Sequence, residues 1–214
     1  MRLYAHPFSS YCQKAIIAFY ETDTPFEMRF IEDAGAMEEL AALWPLRKFP
    51  VLVDEERTVI EATSIIEHLN LVRPGVLIPA DPAAAAHVRM MDRVFDNYIS
   101  TPQQKFVADV IRPEGANRDP HGVEEARRTL DTAYAWLDHR LAGLEWATPH
   151  GFTMADCGAA PFLFYADFTH PIPETFQTLR AYRARLLERL SVKRAVDEAR
   201  PFRHYFPLGA LDRD

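Results

Sequence analysis

The pattern of apolar residues changes character at one point in the chain, and this change limits the folds that are open to it. Over residues 1–73, short strand-like segments alternate with helix-length segments in the order βαβ, α, ββα, which is typical of a small α/β layer with a mixed sheet. Residues 74–81 contain proline and glycine breakers and predict a linker. From residue 82 to residue 214 the apolar residues recur at helical spacing. We therefore expect an α/β domain, a linker and an all-helical domain over these three ranges.

Charge and cysteine content argue against several classes of protein. The chain of 214 residues has a net charge of −7 at pH 7, which disfavours binding of nucleic acid or an anionic membrane through a general basic surface. No apolar run is long enough to span a bilayer, and the first residues lack the apolar core of a secretory signal. Cys12 and Cys157 are the two cysteines, and no histidines pair at ligand spacing. We therefore expect a cytoplasmic protein without a disulfide framework or a metal ion.

The stretch HPFSSYCQKA, residues 6–15, places two serines and a cysteine at the start of a helix-length segment. A helix that begins near Ser10 presents free backbone N–H groups and the positive end of its dipole, which stabilise an anion such as a thiolate. A free thiol has a pKa of about 8.5, and each unit of lowering requires about 1.4 kcal/mol. Ser9 can therefore hold the thiolate of a substrate without being a nucleophile itself, because no acidic partner for His6 is evident.

Two other interpretations of this stretch stay open. Ser9 and Ser10 can simply cap a helix while Cys12 packs inside it. Alternatively, residues 9–12 have the form of a CxxC redox motif with serine in the first position, which makes Cys12 a candidate for thiol–disulfide chemistry.

Two further segments combine a strand with a candidate binding feature. Pro50 stands immediately before an apolar strand and marks its start or edge. A cis Phe49–Pro50 bond would expose the backbone of Phe49 to an extended peptide ligand, whereas a trans bond is the alternative. Further on, a strand runs into a helix at Ala62 and Thr63. Their backbone amides can bind a carboxylate, with Thr63 as the cap, or Thr63 can be a plain cap.

Taken in order, and together with the capping box of Thr153 and Asp156, these segments resemble the cytosolic glutathione transferase family over essentially the whole chain. The resemblance implies a thioredoxin-like N-terminal domain, a linker, an all-helical C-terminal domain and glutathione as co-substrate. Residues 9–14 look like the serine-type motifs of the zeta, tau and delta classes, which places the catalytic role on Ser9. The resemblance also implies a glutathione-binding set around it, namely Ser10, Cys12, Lys48, Phe49, Pro50, Glu61, Ala62 and Thr63.

Within that set the chain departs from the family pattern at two places. Ala62 replaces the usual serine that contacts the γ-glutamyl carboxylate, and such a lost hydrogen bond to a charged group costs about 1.5–3 kcal/mol when nothing replaces it. We expect the N–H of Ala62 to remain and Thr63 to compensate in part. The loop before the proline is Trp44-Pro45-Leu46-Arg47, and Arg47 and Lys48 are candidates for pairing with a glutathione carboxylate.

The resemblance predicts conjugation of glutathione to a small hydrophobic electrophile bound between the domains. The alternatives are a glutathione-dependent thiol–disulfide oxidoreductase that uses Cys12, and a non-catalytic interaction module with the same fold. The resemblance also predicts a homodimer, with the helix from residue 81 to residue 99 as a candidate contributor and with Asp92 and Asp96 near the glutathione site, within one chain or across the dimer. The candidate aromatic residues for the electrophile site are Tyr11, Phe95, Tyr98, Phe106 and Tyr165.

Overall fold

The computed structural model describes residues 1–113, 118–209 and 214. The predicted helical domain, residues 82–214, includes residues 114–117 and 210–213, which lie outside the described residues. None of the helices within the described residues is both long and apolar enough to cross a membrane.

A four-stranded mixed sheet forms the first layer of the fold. Its strands are β1 (Arg2–Ala5), β2 (Glu27–Phe30), β3 (Val51–Asp54) and β4 (Arg57–Ile60). They lie in the order β2-β1-β3-β4, with β1 parallel to β2 and the other pairs antiparallel. The parallel pair requires a long crossover, which a helix supplies, whereas β3 and β4 are joined by a tight turn. The predicted mixed α/β layer is therefore confirmed.

Three helices belong to this layer: α1 (Ser10–Glu21), α2 (Ala36–Leu43) and α3 (Ala62–Val72). α1 is the crossover between β1 and β2, and all of its residues from 12 to 19 are buried. It packs against α3 on one side and against helices of the second half of the chain on the other. A helix enclosed in this way needs apolar residues on most faces, which agrees with the run from Ala15 to Phe19.

The second half of the chain is helical, as predicted. α4 continues through a π-helical turn directly into α5. The sequence analysis did not identify α5, because Pro102 resembles a helix breaker. Proline is nevertheless tolerated in the first turn of a helix. The helices are α4 (Pro82–Phe95), the π turn (Asp96–Ser100), α5 (Thr101–Ile111), α6 (Pro120–Arg140), α7 (Met154–Thr169), α8 (Gln177–Glu188), α9 (Leu190–Ala199) and a 3₁₀ turn (Arg200–Tyr205).

α7 is the centre of the helical layer, and its start is fixed by the predicted capping box of Thr153 and Asp156. The Thr153 N–H donates to Asp156 Oδ2 at 2.9 Å. Asp156 Oδ1 also accepts from the Ala147 N–H at 2.8 Å and from the Tyr182 hydroxyl at 2.7 Å. Because Asp156 is fully buried, this one carboxylate satisfies donors from α7, α8 and the loop before α7.

We expect Asp156→Ala to lower the free energy of unfolding by about 3–5 kcal/mol, since it leaves four buried donors, the N–H groups of Ala147 and Thr153 and the hydroxyls of Thr153 and Tyr182, without their acceptor. Chemical denaturation followed by circular dichroism measures this loss. Asp81→Ala is the matched control, because Asp81 also caps a helix, through a bond to the Ala84 N–H at 2.8 Å, but is exposed. It should cost about 1 kcal/mol. Equal losses in the two variants would contradict this account.

Candidate functional site

Two cavities meet at the N-terminus of α1. The first has a volume of 510 Å³ and lies between the loop before β3 and the start of α3. The second has a volume of 430 Å³ and lies between the loop before α1 and the helical layer. Tyr11, Lys48 and Gln104 line both cavities. Two ligands bound in them would therefore come into contact beside the start of α1.

Ser9 is the N-cap residue of α1 and lies on the wall of the second cavity together with Ser10. Ser9 Oγ accepts a hydrogen bond from the Cys12 N–H at 3.4 Å. A capping hydroxyl accepts with its oxygen and keeps its own proton for donation. The capping interpretation and the binding interpretation of Ser9 are thus compatible, since the cap uses a lone pair and an anion would use the O–H.

Cys12 is placed differently from Ser9. Its side chain is fully buried behind the first turn of α1, and its Sγ accepts from the His6 N–H at 3.5 Å. Burial raises the pKa of the Cys12 thiol to about 12, and the hydrogen bonds from His6 and Ser9 offset only part of that rise. At neutral pH Cys12 is therefore a protonated, enclosed thiol.

The loop that carries Ser9 is held by side chains from both halves of the chain. The Tyr165 hydroxyl, from α7, donates to the Phe8 carbonyl at 2.8 Å. Gln13 Nε2 donates to the Pro7 carbonyl at 2.9 Å and to the Tyr165 hydroxyl at 3.3 Å. His6 Nδ1 accepts from the Phe8 N–H at 3.0 Å. These bonds hold the backbone next to Ser9 in one position relative to the helical layer.

The first cavity is lined by the other predicted segments. The Phe49–Pro50 peptide bond is cis, which is one of the two geometries that the sequence analysis left open. Phe49, Pro50, Glu61 and Ala62 all line this cavity, as does Lys48 at its mouth. Glu61 is the N-cap of α3 and has a φ of 69°, in the left-handed region that disfavours side chains other than glycine. Backbone strain of this kind is concentrated at functional sites.

The prediction that Thr63 caps α3 is wrong, because Glu61 is the N-cap and Thr63 is the second residue inside the helix. The Thr63 hydroxyl accepts from Lys14 Nζ at 2.8 Å and donates to Asp92 Oδ2 at 2.9 Å. It is therefore engaged by buried charges, and only the backbone N–H of Thr63 is left for a ligand.

Asp92 and Asp96 belong to this buried arrangement. Asp92 is fully buried and Asp96 is 7% exposed. Both are paired with Lys14 of the same chain, at 2.7 and 2.9 Å. An ion pair of this kind leaves neither carboxylate free to reach a site in a second copy of the chain.

The predicted aromatic residues fall into three groups. Tyr11 lines both cavities and Tyr165 lines the second. Phe95 and Phe106 are buried in the core, and Tyr98 is 54% exposed on a separate groove. The sequence analysis missed residues of α5 and of the C-terminal segment that complete the second cavity. These are Gln103, Gln104, Val107, Ala108, Ile111, Tyr205, Phe206 and Pro207.

Within the described part of the chain, no group of three or more His, Cys, Asp or Glu side chains is arranged to hold a metal ion. The charged side chains at the cavities are instead Arg47, Lys48 and Glu61. These side chains are exposed. Because two of them are cations and one is an anion, they suit a ligand that carries carboxylate groups as well as an ammonium group.

Comparison with known proteins assigns the family. Residues 3–75 match the sequence model of the glutathione S-transferase N-terminal domain, and residues 120–185 match that of the glutathione S-transferase C-terminal domain. Together the two matches span more than half of the chain. The chain therefore belongs to the glutathione transferase family, which is a family of enzymes.

Individual relatives agree with this assignment. A glutathione S-transferase of Pseudomonas putida is 26% identical over 173 residues, which are 80% of this chain and 76% of the relative. A glutathione S-transferase structure from Methylobacillus flagellatus, with GSH bound, has a TM-score of 0.81 at 22% identity and covers 91% of this chain and 98% of its own. A glutathione S-transferase from Methylobacterium radiotolerans, in complex with glutathione sulfonate, has a TM-score of 0.77 at 26% identity, with 91% and 93% covered.

The buried His6 gives the site loop a defined pH dependence. Burial lowers the pKa of His6, and Glu32, 3.2 Å away, offsets part of that shift. Because the folded pKa lies below the unfolded value of about 6.5, the stability contributed by the neutral imidazole is fully present above pH 6.5. It is lost as the pH falls through the folded pKa.

We therefore expect the free energy of unfolding of the wild type to fall more steeply between pH 6.5 and pH 5 than that of His6→Gln, because only the wild type has this buried imidazole. Urea denaturation at a series of pH values measures the two slopes. His139→Gln, at an exposed position, should keep the wild-type slope. A His6→Gln slope equal to that of the wild type would refute the assignment.

Proposed function

We propose that the protein binds glutathione in the first cavity, holds its sulfur as a thiolate at Ser9, and conjugates it to a small hydrophobic electrophile in the second cavity. The observation that supports this proposal is the meeting of the two cavities at the N-terminus of α1. A nucleophile from one cavity and an electrophile from the other are thereby brought together, which lowers the entropic cost of the reaction.

The sulfur is stabilised as an anion by two sources. The Ser9 O–H donates one hydrogen bond to it, and a hydrogen bond to a charged group contributes about 1.5–3 kcal/mol. The free N–H groups and dipole at the start of α1 add about 0.3–1 kcal/mol. Their sum lowers the pKa of a thiol, ordinarily about 8.5, by about one to three units. Glutathione bound there is substantially ionised near neutral pH.

The remainder of glutathione fits the first cavity from end to end. The backbone of Phe49 pairs with the cysteinyl residue, and the Glu61 carboxylate pairs with the γ-glutamyl ammonium. The γ-glutamyl carboxylate binds the free N–H groups of Ala62 and Thr63 at the start of α3. Arg47 or Lys48 pairs with the glycyl carboxylate. Because the Thr63 hydroxyl is already engaged, it does not replace the serine hydroxyl that Ala62 lacks.

The second cavity suits a small hydrophobic molecule. Its wall is built from aromatic rings of the site loop and α7 and from aliphatic side chains of α5, namely Phe8, Tyr165, Val107 and Ile111, and is closed by Phe206 of the C-terminal segment. In the reaction the thiolate sulfur forms a bond to the electrophilic carbon. The electron pair of the bond that breaks leaves with a leaving group or moves to an adjacent electron-withdrawing group.

Cys12 gives no support to the alternative of thiol–disulfide exchange. A nucleophilic cysteine has to be ionised and accessible, whereas Cys12 is fully buried and its pKa is raised to about 12. The assignment of the reactive position to Ser9 therefore rests on exposure as well as on charge.

We expect Ser9→Ala to lower kcat/KM for conjugation at pH 7 by about 10- to 100-fold, because it removes the hydrogen bond to the thiolate. The pKa seen in the pH–rate profile should rise by about one to two units. An absorbance assay with an activated aryl halide measures both. Ser9→Thr, which keeps the hydroxyl, should retain most of the activity, and so should Cys12→Ala. A large loss in Cys12→Ala with an active Ser9→Ala would instead assign the chemistry to Cys12.

We further propose that the chain is a homodimer through the groove between α4 and α6. This groove has a volume of 680 Å³ and shares no lining residue with the two cavities. Val94, Tyr98 and Trp136 line it, and Tyr98 and Trp136 are 54% and 44% exposed. An exposed apolar surface of this kind is typical of a contact between proteins, and the family resemblance indicates a second copy of the chain.

We expect the wild type to sediment as a dimer of twice 24.5 kDa. Trp136→Glu should shift it to the monomer mass, because the substitution places a charge in an apolar contact. Analytical ultracentrifugation measures both masses. Leu190→Glu, at a position that is 83% exposed elsewhere, should remain dimeric. A monomeric wild type would contradict this proposal.

The domain division and the cellular location are parts of the same proposal. Residues 1–73 form the glutathione-binding domain, residues 74–81 the linker, and residues 82–214 the domain that contributes the electrophile site. The protein acts in the cytoplasm, where cysteines such as Cys12 and Cys157 stay reduced. Both of them are free thiols in this structure.

A further inference from the structure

Lys14 is a charged residue that the proposed function does not use. Its side chain is completely buried, although it lies only four residues beyond the first residue of α1. A lysine ammonium has three donors, and two of them donate hydrogen bonds, to Thr63 Oγ1 at 2.8 Å and to Asp96 Oδ1 at 2.9 Å. Asp92 Oδ1 lies 2.7 Å from the same nitrogen as an ion-pair contact. Because its side chain is completely buried, Lys14 acts through the groups that it holds.

The surrounding structure is shaped to accept this ammonium. Gly158 lies inside α7, where glycine is unfavourable relative to alanine. A Cβ at Gly158 would come within 3.4 Å of Lys14 Cε, 3.5 Å of Asp92 Oδ1 and 3.3 Å of the Phe162 ring. The distances to Lys14 and Asp92 are ordinary van der Waals contacts, whereas the Phe162 ring would have to shift by a few tenths of an ångström. The Phe162 ring also lies 5.5 Å from Lys14 Nζ, and its face favours a cation.

The buried charges balance within the cluster of Lys14, Asp92, Arg93 and Asp96. Arg93, which is partly exposed, pairs with both carboxylates and with Thr63. Two cations therefore face two anions. Burial of charges is unfavourable even when they are paired, and an apolar cluster of the same shape is often equally stable or more so. Stability alone therefore does not account for a lysine at this position.

The cluster connects the parts of the chain that build the proposed glutathione site. Lys14 belongs to α1, whose start holds the sulfur, and Thr63 is the second residue of α3, whose start holds the γ-glutamyl carboxylate. Asp92 and Asp96 come from the helical layer. The Thr63 hydroxyl is held on one side by Lys14 and on the other by Asp92. The position of the first turn of α3 relative to α1 thus depends on the ammonium.

We propose that Lys14 is a positioning residue for glutathione: its buried ammonium, held by Asp92 and Asp96, fixes Thr63 and thereby the start of α3 at which the γ-glutamyl carboxylate binds. This inference rests on the proposed function, since it assumes that glutathione occupies the first cavity. It assigns to Lys14 an effect on the γ-glutamyl end of the peptide and not on its sulfur.

The test compares glutathione with cysteinylglycine, which has the same thiol and glycyl carboxylate but lacks the γ-glutamyl group. Calorimetric titration gives the Kd of each peptide for the full chain. The variant is Lys14→Met combined with Asp92→Asn, which removes one cation and one anion and leaves the cluster neutral. We expect its affinity for glutathione to fall about tenfold while its affinity for cysteinylglycine changes less than about twofold. KM for glutathione should rise in parallel, with kcat and its pH profile unchanged.

Glu21→Gln is the matched control. Glu21 also joins α1 to the helical layer, through bonds to Arg189 at 2.7 and 2.6 Å, but it lies at the opposite end of the helix, roughly 18 Å from Ser9. It should lower the melting temperature without changing the ratio of the two Kd values. If the double variant does not fold, Asp96→Asn removes one of the two anions that hold the ammonium, and should change the ratio in the same direction by about threefold.

The outcomes separate the two hypotheses. A wild type that binds neither peptide refutes the proposed function. A wild type that prefers glutathione, combined with a folded variant that keeps the same preference, refutes the role of Lys14 alone. An equal loss of affinity for both peptides also overturns it, because that result is expected of a residue that only stabilises the fold.

Discussion

The enclosure of α1 is the constraint on which the rest of the structure depends. Every residue from 12 to 19 is buried, so the middle turns of this helix contact protein on all sides. α3 covers one part of that surface, and α7 and α9 cover others. Two polar residues, Gln13 and Lys14, are enclosed as well, and each finds partners in the helical layer. The helix is therefore complete only when both halves of the chain pack on it, and the site at its start exists under the same condition.

The features that the sequence predicted are those decided by neighbouring residues. The start of α1 after Ser9, the start of α4 after Asp81 and the capping box of α7 all depend on side chains within three residues of the backbone that they bind. The mixed sheet follows from short alternating segments separated by turns. The apolar stripes of the helical half follow from spacing in the same way. For such elements the local sequence and the final fold agree, as is typical of natural proteins.

The features that the sequence did not predict are decided by residues far apart in the chain. Threonine is a residue type that often caps helices. The Thr63 hydroxyl is instead hydrogen-bonded to Lys14 and Asp92, which lie 49 and 29 residues away in the sequence. Gln104 lines both cavities. It belongs to α5, a helix that the sequence analysis did not identify because Pro102 resembles a helix breaker. The C-terminal segment forms part of the second cavity with no periodic signal of its own. Asp96 pairs with Lys14, which also binds Thr63 at the start of α3, and the sequence gives no sign of this pairing, since the two residues lie 82 positions apart.

The contrast between Cys12 and a substrate sulfur shows why the position on α1 matters more than the residue type. In the proposed function both lie at the start of the same helix and both receive its partial positive charge, which contributes about 0.3–1 kcal/mol. Burial nevertheless raises the pKa of Cys12 from 9.0 to about 12, a rise that corresponds to about 4 kcal/mol against the thiolate. Desolvation therefore exceeds the helix charge several-fold when the sulfur is enclosed. In the proposed function, a sulfur held at the rim of the helix beside the Ser9 hydroxyl receives the same charge without that penalty. The proposal therefore has the ligand's thiol ionised while the protein's own buried thiol stays protonated.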